Sequence, residues 1–206
     1  MAESKRGKGR PRGFDRGTAL RRALEVFWSK GFEPTKIMDL CRAMGLNPPS
    51  LYATFGNKTR LFLEAVDYYE TTYWDAPSRQ FLAEPDVFRA TEDFFCTAAR
   101  ILLAPETPCG CLVVLAAINI SPGETDVIAE IQNRRMATKA MFAQRLERAW
   151  QEGQFPPDTD IEALAGALNT MLEGLSIQAR DGLAVEALER VASLAVRLLP
   201  QRTAQS

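Results

Sequence analysis

Histidine does not occur in this 206-residue sequence, and cysteine occurs only four times. The lack of histidine removes the commonest general base, the Ser-His and Cys-His nucleophile arrangements and most zinc sites. No glycine-rich phosphate-binding loop is present either. We therefore expect neither catalytic activity nor a metal ion or other cofactor. Because the cysteine pattern does not suggest structural disulfides, we expect the protein to work in a reducing cytoplasm.

The sequence also has no long hydrophobic run. Its most apolar stretch, CGCLVVLAAINI at 109–120, is too short to span a membrane and predicts a buried core helix. The charged N-terminus is not followed by the apolar segment of a signal peptide, so we expect no membrane association. Strand-like alternation is missing, whereas helical periodicity continues to about residue 199. The fold is therefore expected to be all-α.

Charge is divided unevenly along the chain. Residues 1–60 hold 13 Lys/Arg and 5 Asp/Glu, a net charge of +8, while residues 61–206 hold 12 and 21, a net charge of −9. A charge cluster alone is usually a solvated surface. A basic N-terminal third on an acidic body is also the pattern of a protein that presents one end to DNA.

The segment 35–62 has the layout of two short helices joined by a glycine turn. Its first helix carries apolar residues at i, i+3, i+4 and i+7, and Gly45 ends it. Asn47 is a good N-cap and Pro48 suits the first helical position, so a second helix is expected to begin there. Its inner face is Leu51 and Phe55. The apolar residues of the first helix are Ile37, Leu40, Cys41 and Met44.

The outer face of the second helix carries short polar or small side chains and one tyrosine. A helix of this kind can approach DNA closely, which is the geometry of a recognition helix in a helix-turn-helix. The residues left on this surface are Pro49, Ser50, Tyr52, Ala53 and Thr54.

This stretch resembles the N-terminal domain of the TetR (tetracycline-repressor) family. The preceding helix fits too, with Leu20, Ala23, Leu24 and Phe27 on one stripe before Gly31. The sequence departs from the family at Pro48-Pro49, where Lys-Gly is common, and at Ala53, where histidine is common, so we expect the operator to be read differently. The matching residues are Thr35, Ala43, Gly45, Ser50, Leu51, Tyr52, Phe55 and Lys58.

The resemblance implies a three-helix helix-turn-helix DNA-binding domain followed by a helical domain for effector binding and dimerisation. We expect a flexible basic arm at 1–13, the DNA-binding domain at 14–57, the helical domain at 58–200 and a disordered tail at 201–206. The implied function is a transcriptional regulator of the repressor type. It would bind double-stranded DNA at a palindromic operator as a homodimer, and a small molecule would release it.

Specific DNA contacts are expected from both helices and from the arm. Thr35 is expected to cap the helix that begins near Ile37. Like Lys58, it is also expected to contact a phosphate. Ser50 and Tyr52 are the expected base readers, followed by Asn47 and Lys36. Arg10 and Arg12 suit a minor-groove arm, although a solubilising tail is an equal alternative. The remaining candidates at this surface are Pro48, Pro49 and Thr54.

The last forty residues predict two antiparallel amphipathic helices, one after Asp160 and one from about Val185 to Leu199. These helices could cover their own core or pack on a second copy as a four-helix bundle, and the resemblance favours the dimer. The expected interface residues are Leu164, Leu168, Met171, Leu172, Leu175, Leu188, Val191, Ala195 and Leu198.

An effector pocket is expected in the helical domain, where apolar walls would suit a hydrophobic or aromatic ligand. Its candidate residues are Tyr73, Trp74, Phe94, Phe95, Cys109, Cys111, Met136, Phe142, Trp150 and Met171. Upstream of most of them, Pro77 indicates a turn after the helix that begins near Lys58.

Two alternatives remain open. Cys109 and Cys111 follow Pro108 and should stand at the start of a helix, where the helix dipole can stabilise a thiolate, so the protein could sense oxidants, electrophiles or metal through them. Cys41 and Cys96 are more simply core residues. A constitutive architectural DNA binder without an effector is the other alternative.

Overall fold

A computed structural model describes residues 14–201, and the predicted arm at 1–13 and most of the predicted tail therefore lie outside the described residues. The all-α prediction is confirmed: this part of the chain forms α-helices with no β-strand. The first four helices are α1 (Arg16–Lys30), α2 (Ile37–Met44), α3 (Pro48–Phe55) and α4 (Lys58–Tyr69). They are followed by α5 (Asp75–Ala83), α6 (Val87–Leu102), α7 (Leu112–Leu115), α8 (Thr125–Gln151), α9 (Ile161–Arg180) and α10 (Val185–Ala192).

The core of the N-terminal domain is formed by the inner faces of α1, α2 and α3 together with α4, the helix that begins at the predicted boundary between residues 57 and 58. The carboxylate of Asp15 accepts from the backbone N–H groups of Gly17 and Thr18 and so starts α1. Fully buried aromatic rings then join α1 to α4, with the Phe27 and Phe62 centroids 5.1 Å apart. Leu112, Val113, Ala116, Val127 and Ile131 from the following domain complete this core. The N-terminal domain is therefore not closed by its own residues alone.

The helix from Lys58 to Ala83 is continuous but irregular. A π-helical turn at Glu70–Trp74 joins α4 to α5, and such turns occur frequently at functional sites. The turn predicted near Pro77 is wrong, because Pro77 lies inside α5, three residues after the π-helical turn, and the chain stays helical through it.

The second core packs α5 and α6 against α8, α9 and α10. It is centred on aromatic side chains, including Phe94, Phe95 and Phe142, all at most 3% exposed. The Phe94 and Phe142 rings meet nearly edge to face, with centroids 5.4 Å apart. This core is separate from the one beneath the N-terminal domain, and Trp74 and Cys111 pack against both.

Two predicted helices are shorter than expected. The apolar stretch 109–120 contains only α7, a four-residue helix, and the remainder is turn and loop. The C-terminal helix ends at Ala192, and a 3₁₀ turn at Ala195–Leu198 follows. Apolar content indicated burial in both places, but neither segment has the length that makes a helix the only way to bury it.

Gly110 is the tightest point of the 109–120 segment. Its φ of +83° is in the left-handed region that favours glycine, and a Cβ there would lie 2.4 Å from Leu115 Cδ1 and 2.8 Å from the Ser176 carbonyl oxygen. Glycine is therefore the residue this position can accept.

Within residues 14–201, no helix combines the length and the apolar character that a membrane span requires.

Candidate DNA-reading surface and effector pocket

The turn between α2 and α3 has the predicted geometry. Gly45 has φ of 70° and ψ of 32°, and its N–H bonds to the carbonyl of Cys41. The side chain of Asn47 accepts from the Ser50 N–H at 2.9 Å, and Pro48 occupies the first helical position. The N-cap and proline predictions for α3 are confirmed. The entry angle of α3 is fixed by these local contacts.

The two faces of α3 also separate as the pattern indicates. Leu51 and Phe55 are buried, while Pro49, Tyr52 and Ala53 are exposed. Tyr52 has 47% of its surface exposed, so its ring and hydroxyl extend from the domain. On the same helix, Ser50 and Thr54 are half-buried, and the Thr54 hydroxyl donates to the Ser50 carbonyl at 2.8 Å. Base contacts by these residues stay predictions.

Thr35 does not have the role predicted for it. Its side chain is 1% exposed, and its hydroxyl donates to the Gly31 carbonyl at 2.6 Å, which removes the hydroxyl from solvent. Lys36 is the residue that precedes α2, and its backbone N–H bonds to Asp39 Oδ2 at 3.3 Å. The cap prediction failed because sequence spacing does not show whether a threonine faces outward or inward.

Lys58 combines an inward contact with partial exposure. Its Nζ donates to the Glu33 carbonyl at 3.2 Å and lies 4.2 Å from the centre of the Phe32 ring. Burial lowers the pKa of Lys58, and the charges of Glu33 and Glu124 oppose that shift. A lysine ammonium has three donors. The phosphate contact of Lys58 stays a prediction, and it would use the donors that Glu33 does not occupy.

The basic arm cannot be placed. Arg10 and Arg12 lie outside the described residues, so their predicted minor-groove role has no structural counterpart. The first described arginine is Arg16, which pairs with Glu64 and lies 4.8 Å from the centre of the Phe55 ring. Sequence analysis missed this contact, since the two partners are far apart in the chain.

Direct hydrogen bonds join the N-terminal domain to the 110–121 segment. Trp28 Nε1 donates to the Gly110 carbonyl at 2.7 Å, and the Phe32 N–H donates to the Ala116 carbonyl at 2.8 Å. The Ser121 hydroxyl donates to the Glu33 carboxylate at 2.6 Å, and this bond lowers the pKa of Glu33. From α9, the Arg180 guanidinium reaches the carbonyl oxygens at the end of α1.

A cavity of about 330 Å³ opens in the second domain, beside this segment. Trp74, Phe94 and Cys111 line it, as predicted. The other pocket candidates do not: Phe95 and Phe142 are fully buried in the core, Met136 and Trp150 are on the surface, and Cys109 is exposed. Tyr73 packs on Trp28 instead, at 5.3 Å, and Met171 packs against the second core.

The sequence prediction missed the polar half of this cavity. Arg134 bonds to the carboxylates of Glu70 and Asp67 and lies 2.6 Å from that of Glu130. Burial lowers the pKa of Arg134, but the hydrogen bonds that Arg134 donates to Glu70 and Glu130 outweigh this effect, and the net shift is upward. Burial raises the pKa of Glu70 against the effect of Arg134. Further polar lining residues are Asp75, Ser78, Arg135, Thr138, Asn169 and Glu173.

Cys111 forms part of the cavity wall next to two aromatic residues. Burial raises the pKa of its thiol, although the Tyr69 hydroxyl and the backbone N–H of Val114 oppose this. The Trp74 indole N–H has no hydrogen-bond partner within 14–201. The expected stabilisation of a thiolate by a helix dipole is therefore contradicted at Cys111: α7 has only four residues, and burial dominates.

Most of the predicted dimer residues are inside the protomer. Leu168, Leu172, Leu175, Leu188 and Ala195 are at most 8% exposed and belong to its own second core. Leu164, Met171 and Val191 are half-buried, and Leu198 is 44% exposed. For the five buried residues the prediction is wrong, because an amphipathic pattern identifies the apolar face of a helix but not the element that covers it; for the other four it stays a prediction.

A different stripe of α9 faces outward. It repeats at spacings of four and three and is made of small residues with one isoleucine: Ala163, Ala167, Thr170, Gly174 and Ile177. Ile177 is 47% exposed, and Leu194, after α10, is 45% exposed. The run of small residues at helical spacing was the available signal for this face.

Among the described residues, no group of three or more cysteine, aspartate and glutamate side chains could hold a metal ion.

Two family models match the chain. Residues 19–65 match "Bacterial regulatory proteins, tetR family", and residues 90–194 match "Tetracyclin repressor-like, C-terminal domain". Among curated proteins, the HTH-type transcriptional repressor ComR of Escherichia coli is 34% identical over 198 residues, covering 96% of this chain and 94% of ComR. The repressor BdcR of the same organism is 28% identical over 187 residues, covering 91% of this chain and 90% of BdcR.

A solved structure is similar along nearly the whole chain. It is a cysteine mutant of the TetR family transcriptional regulator CifR complexed with 26-bp double-strand operator DNA. The TM-score is 0.88 at 37% sequence identity, and the match covers 93% of this chain and 100% of the CifR chain.

Proposed function

This chain belongs to the tetR family of bacterial regulatory proteins, and from that premise we propose that it is a sequence-specific DNA-binding transcriptional repressor. The observation that carries the proposal is α3. Its inner face is held by Leu51 and Phe55 in the domain core, its start is fixed by Asn47, and its outer face presents Tyr52 to solvent. An exposed helix on a rigid support is what reading of the major groove requires.

We expect two copies to act together on a palindromic operator. One reading helix makes few base contacts, whereas a two-fold dimer supplies two helices about 34–36 Å apart, one turn of B-DNA. The outward stripe of α9 and the exposed Leu194 and Leu198 support this arrangement, because small residues let two helices approach closely. We therefore propose this stripe as the interface in place of the buried leucines.

Substitution separates the two possible faces. Ile177→Asp combined with Leu194→Asp should convert the protein to a monomer in sedimentation velocity and abolish tight operator binding. Ile118→Asp is the matched control for the sedimentation measurement alone, because Ile118 is 58% exposed but lies on the 109–120 segment. A double variant that stays dimeric would remove this interface.

We further propose that a small molecule in the cavity releases the repressor. The cavity is lined by Cys111, Val113 and Val114. The same segment is bonded to α1 through Gly110 and to Phe32, just after α1, through Ala116. A change in this segment can therefore alter the position of the reading helices. The effector acts only if it binds the released state more tightly than the DNA-binding state.

Selection of bound duplexes from random DNA tests the core of the proposal. A repressor dimer should enrich a palindrome, and mapping that palindrome onto the source genome should place it next to regulated promoters. Enrichment of no sequence would overturn specific binding. A specific site whose affinity no ligand in a broad screen lowers would favour the constitutive architectural alternative.

Thiol sensing is the second candidate function, because Cys111 lines the cavity, although burial raises the pKa of its thiol and so lowers its reactivity. Cys111→Ser and Cys109→Ser variants should be compared for operator release by diamide. Release that is lost with Cys111→Ser alone supports thiol sensing, and release that is unchanged in the Cys109→Ser/Cys111→Ser double variant excludes it.

We propose no catalytic activity, and we expect the protein to work in the cytoplasm, where it can reach DNA.

A further inference from the structure

We propose that the effector is an organic cation with an aromatic or aliphatic body. The inference rests on the proposed function, in that the ligand is taken to occupy the cavity beside the 109–120 segment. It depends on the balance of charge around that cavity and on the apolar surface opposite the charges.

The positive charge of Arg134 is already compensated by neighbouring carboxylates. Its guanidinium is shared by three carboxylates, Asp67, Glu70 and Glu130, of which Glu70 also lines the cavity. A ligand anion would have to compete with three fixed carboxylates for this one group. Arg134 therefore supports the wall of the cavity and does not act as an anion receptor.

The second guanidinium, Arg135, is turned toward the backbone. Its Nη2 donates to the Val113 and Val114 carbonyl oxygens at 3.0 and 3.2 Å, and its Nε donates to Val113 at 3.2 Å. These bonds hold the segment that forms one side of the cavity. They also occupy the donors of Arg135 that a carboxylate would need for bidentate binding.

Two lining carboxylates, in contrast, have no cationic partner within residues 14–201. Glu173 accepts a hydrogen bond from Asn169 Nδ2 at 3.1 Å, and Asp75 lies in the first turn of α5 without an ion pair. The cavity wall and the side chains paired with it hold five carboxylates and two guanidinium groups. Three of these carboxylates are the ones that pair with Arg134. The excess is negative, which favours a bound cation over an anion.

The remaining wall determines the body of the ligand. Trp74 and Phe94 line the cavity with ring centroids 6.3 Å apart, and Val113, Met141 and Leu172 extend the apolar side. Aromatic rings attract a cation through their faces and an apolar body through burial of its surface. A volume of about 330 Å³ is at the lower end of small-molecule pockets and suits a compact ligand.

Three naphthyl probes of different charge test the inference, and the first two have the same shape. They are (1-naphthylmethyl)trimethylammonium, its uncharged carbon isostere 1-neopentylnaphthalene, and the anion 1-naphthylacetate. Calorimetric titration of the full-length protein at low ionic strength should give a Kd for the cation about tenfold below that of the isostere, since the charges of the half-buried Glu173 and the exposed Asp75 are little screened under these conditions. The anion should bind more weakly than either.

Isosteric variants locate the effect. Asp75→Asn and Glu173→Gln should each weaken cation binding several-fold, and together should bring its Kd close to that of the isostere. Glu92→Gln, an exposed carboxylate of α6 outside the cavity, should leave all three affinities unchanged. Equal binding of cation and isostere in the wild type, or selectivity that survives the double variant, would overturn the inference.

Operator binding distinguishes this failure from failure of the proposed function. Anisotropy of the labelled palindrome recovered from random DNA, measured without probe, reports the repressor alone. Tight operator binding together with absent cation selectivity defeats only the ligand class. Absence of any specific DNA site defeats the function, whatever the probes do.

Discussion

The indole N–H of Trp28 donates a 2.7 Å hydrogen bond to the carbonyl of Gly110, across 82 positions of sequence. Trp28 belongs to the helix that supports the reading domain, and Gly110 immediately precedes the cavity residue Cys111. Both partners are buried, and the Trp28 ring also packs edge to face on Tyr69 at 4.7 Å. The contact therefore joins the DNA-reading domain to the proposed effector pocket without an intermediate side chain.

Loss of that hydrogen bond should destabilise the protein measurably. Trp28→Phe retains most ring packing but leaves the buried Gly110 carbonyl without its donor, a cost of about 1–3 kcal/mol. Urea unfolding measures the change. Trp150→Phe is the control: Trp150 is 39% exposed and bonds to Pro157, so water can replace the lost donor and stability should hardly change. Equal effects in both variants would contradict the role given to Trp28.

The start of the reading helix should depend on its cap. Asn47→Ala removes the acceptor for the Ser50 N–H and should cost about 1 kcal/mol, whereas Asn47→Ser keeps a capping oxygen and should cost much less. Because the cap fixes the first turn of α3, operator affinity should fall with Asn47→Ala. Thermal unfolding and operator titration on the same preparations check both effects, and an Asn47→Ala variant as stable as wild type would refute them.

Lys58 should contribute to the salt dependence of DNA binding. Lys58→Met keeps the aliphatic stem over Phe32 and removes the charge, so one phosphate contact should disappear and the slope of log K against log salt should fall by about 0.9. Affinity should drop similarly for specific and random DNA. Lys139→Met, on α8 beside Glu162, is the charge-matched control and should leave the slope unchanged. An unaltered slope in Lys58→Met would exclude the phosphate contact.

Alkaline pH should weaken the fold through Cys111. Burial raises the pKa of this thiol above its ordinary value of 9.0, so the unfolded chain loses the proton first as the pH rises. The stability that the neutral thiol contributes is complete below pH about 9 and is lost above it. Burial also raises the pKa of Cys41 and Cys96, so the test compares the stability lost by the wild type with that lost by a variant without Cys111. Cys111→Ser should lose less stability than wild type between pH 8.5 and 10.

Gly110 should tolerate no side chain. Gly110→Ala places a methyl group against Leu115 and the Ser176 carbonyl at a positive φ, and overpacking alone costs about 1–3 kcal/mol. Gly153→Ala shares a positive φ of 75° but has nothing within 4 Å of the added Cβ, so it isolates the backbone cost. The Gly110 variant should unfold at lower urea than the Gly153 variant, and the reverse order would contradict the steric account.

The reading helix could be predicted from sequence because its determinants are local. Gly45, Asn47 and Pro48 fix a turn within four residues, and Leu51 with Phe55 fix the buried side. Thr35 was predicted wrongly although it is close by, since its hydroxyl turns inward to Gly31. Side-chain direction at a helix boundary depends on packing that the local pattern does not contain.

The pocket and the dimer face depend on contacts between distant segments, and there the sequence was less informative. Aromatic character predicts pocket walls, yet Phe95 and Phe142 fill the core. The polar lining around Arg134 arises where α4 and α8 meet, which no local spacing indicates. Likewise, periodicity identified the leucine side of α9 but could not show that α6 and α8 already cover it.

The first turn of α3 has no free backbone donor to offer an operator. Pro48 and Pro49 have no N–H, and the N–H of Ser50 is bound by Asn47. Anions at helix starts are usually bound by free backbone N–H groups, which are present whatever the side chain at that position. At α3 the contacts to DNA must therefore come from exchangeable side chains, so a few point mutations there can redirect the repressor to a new operator during evolution while the rest of the fold stays intact.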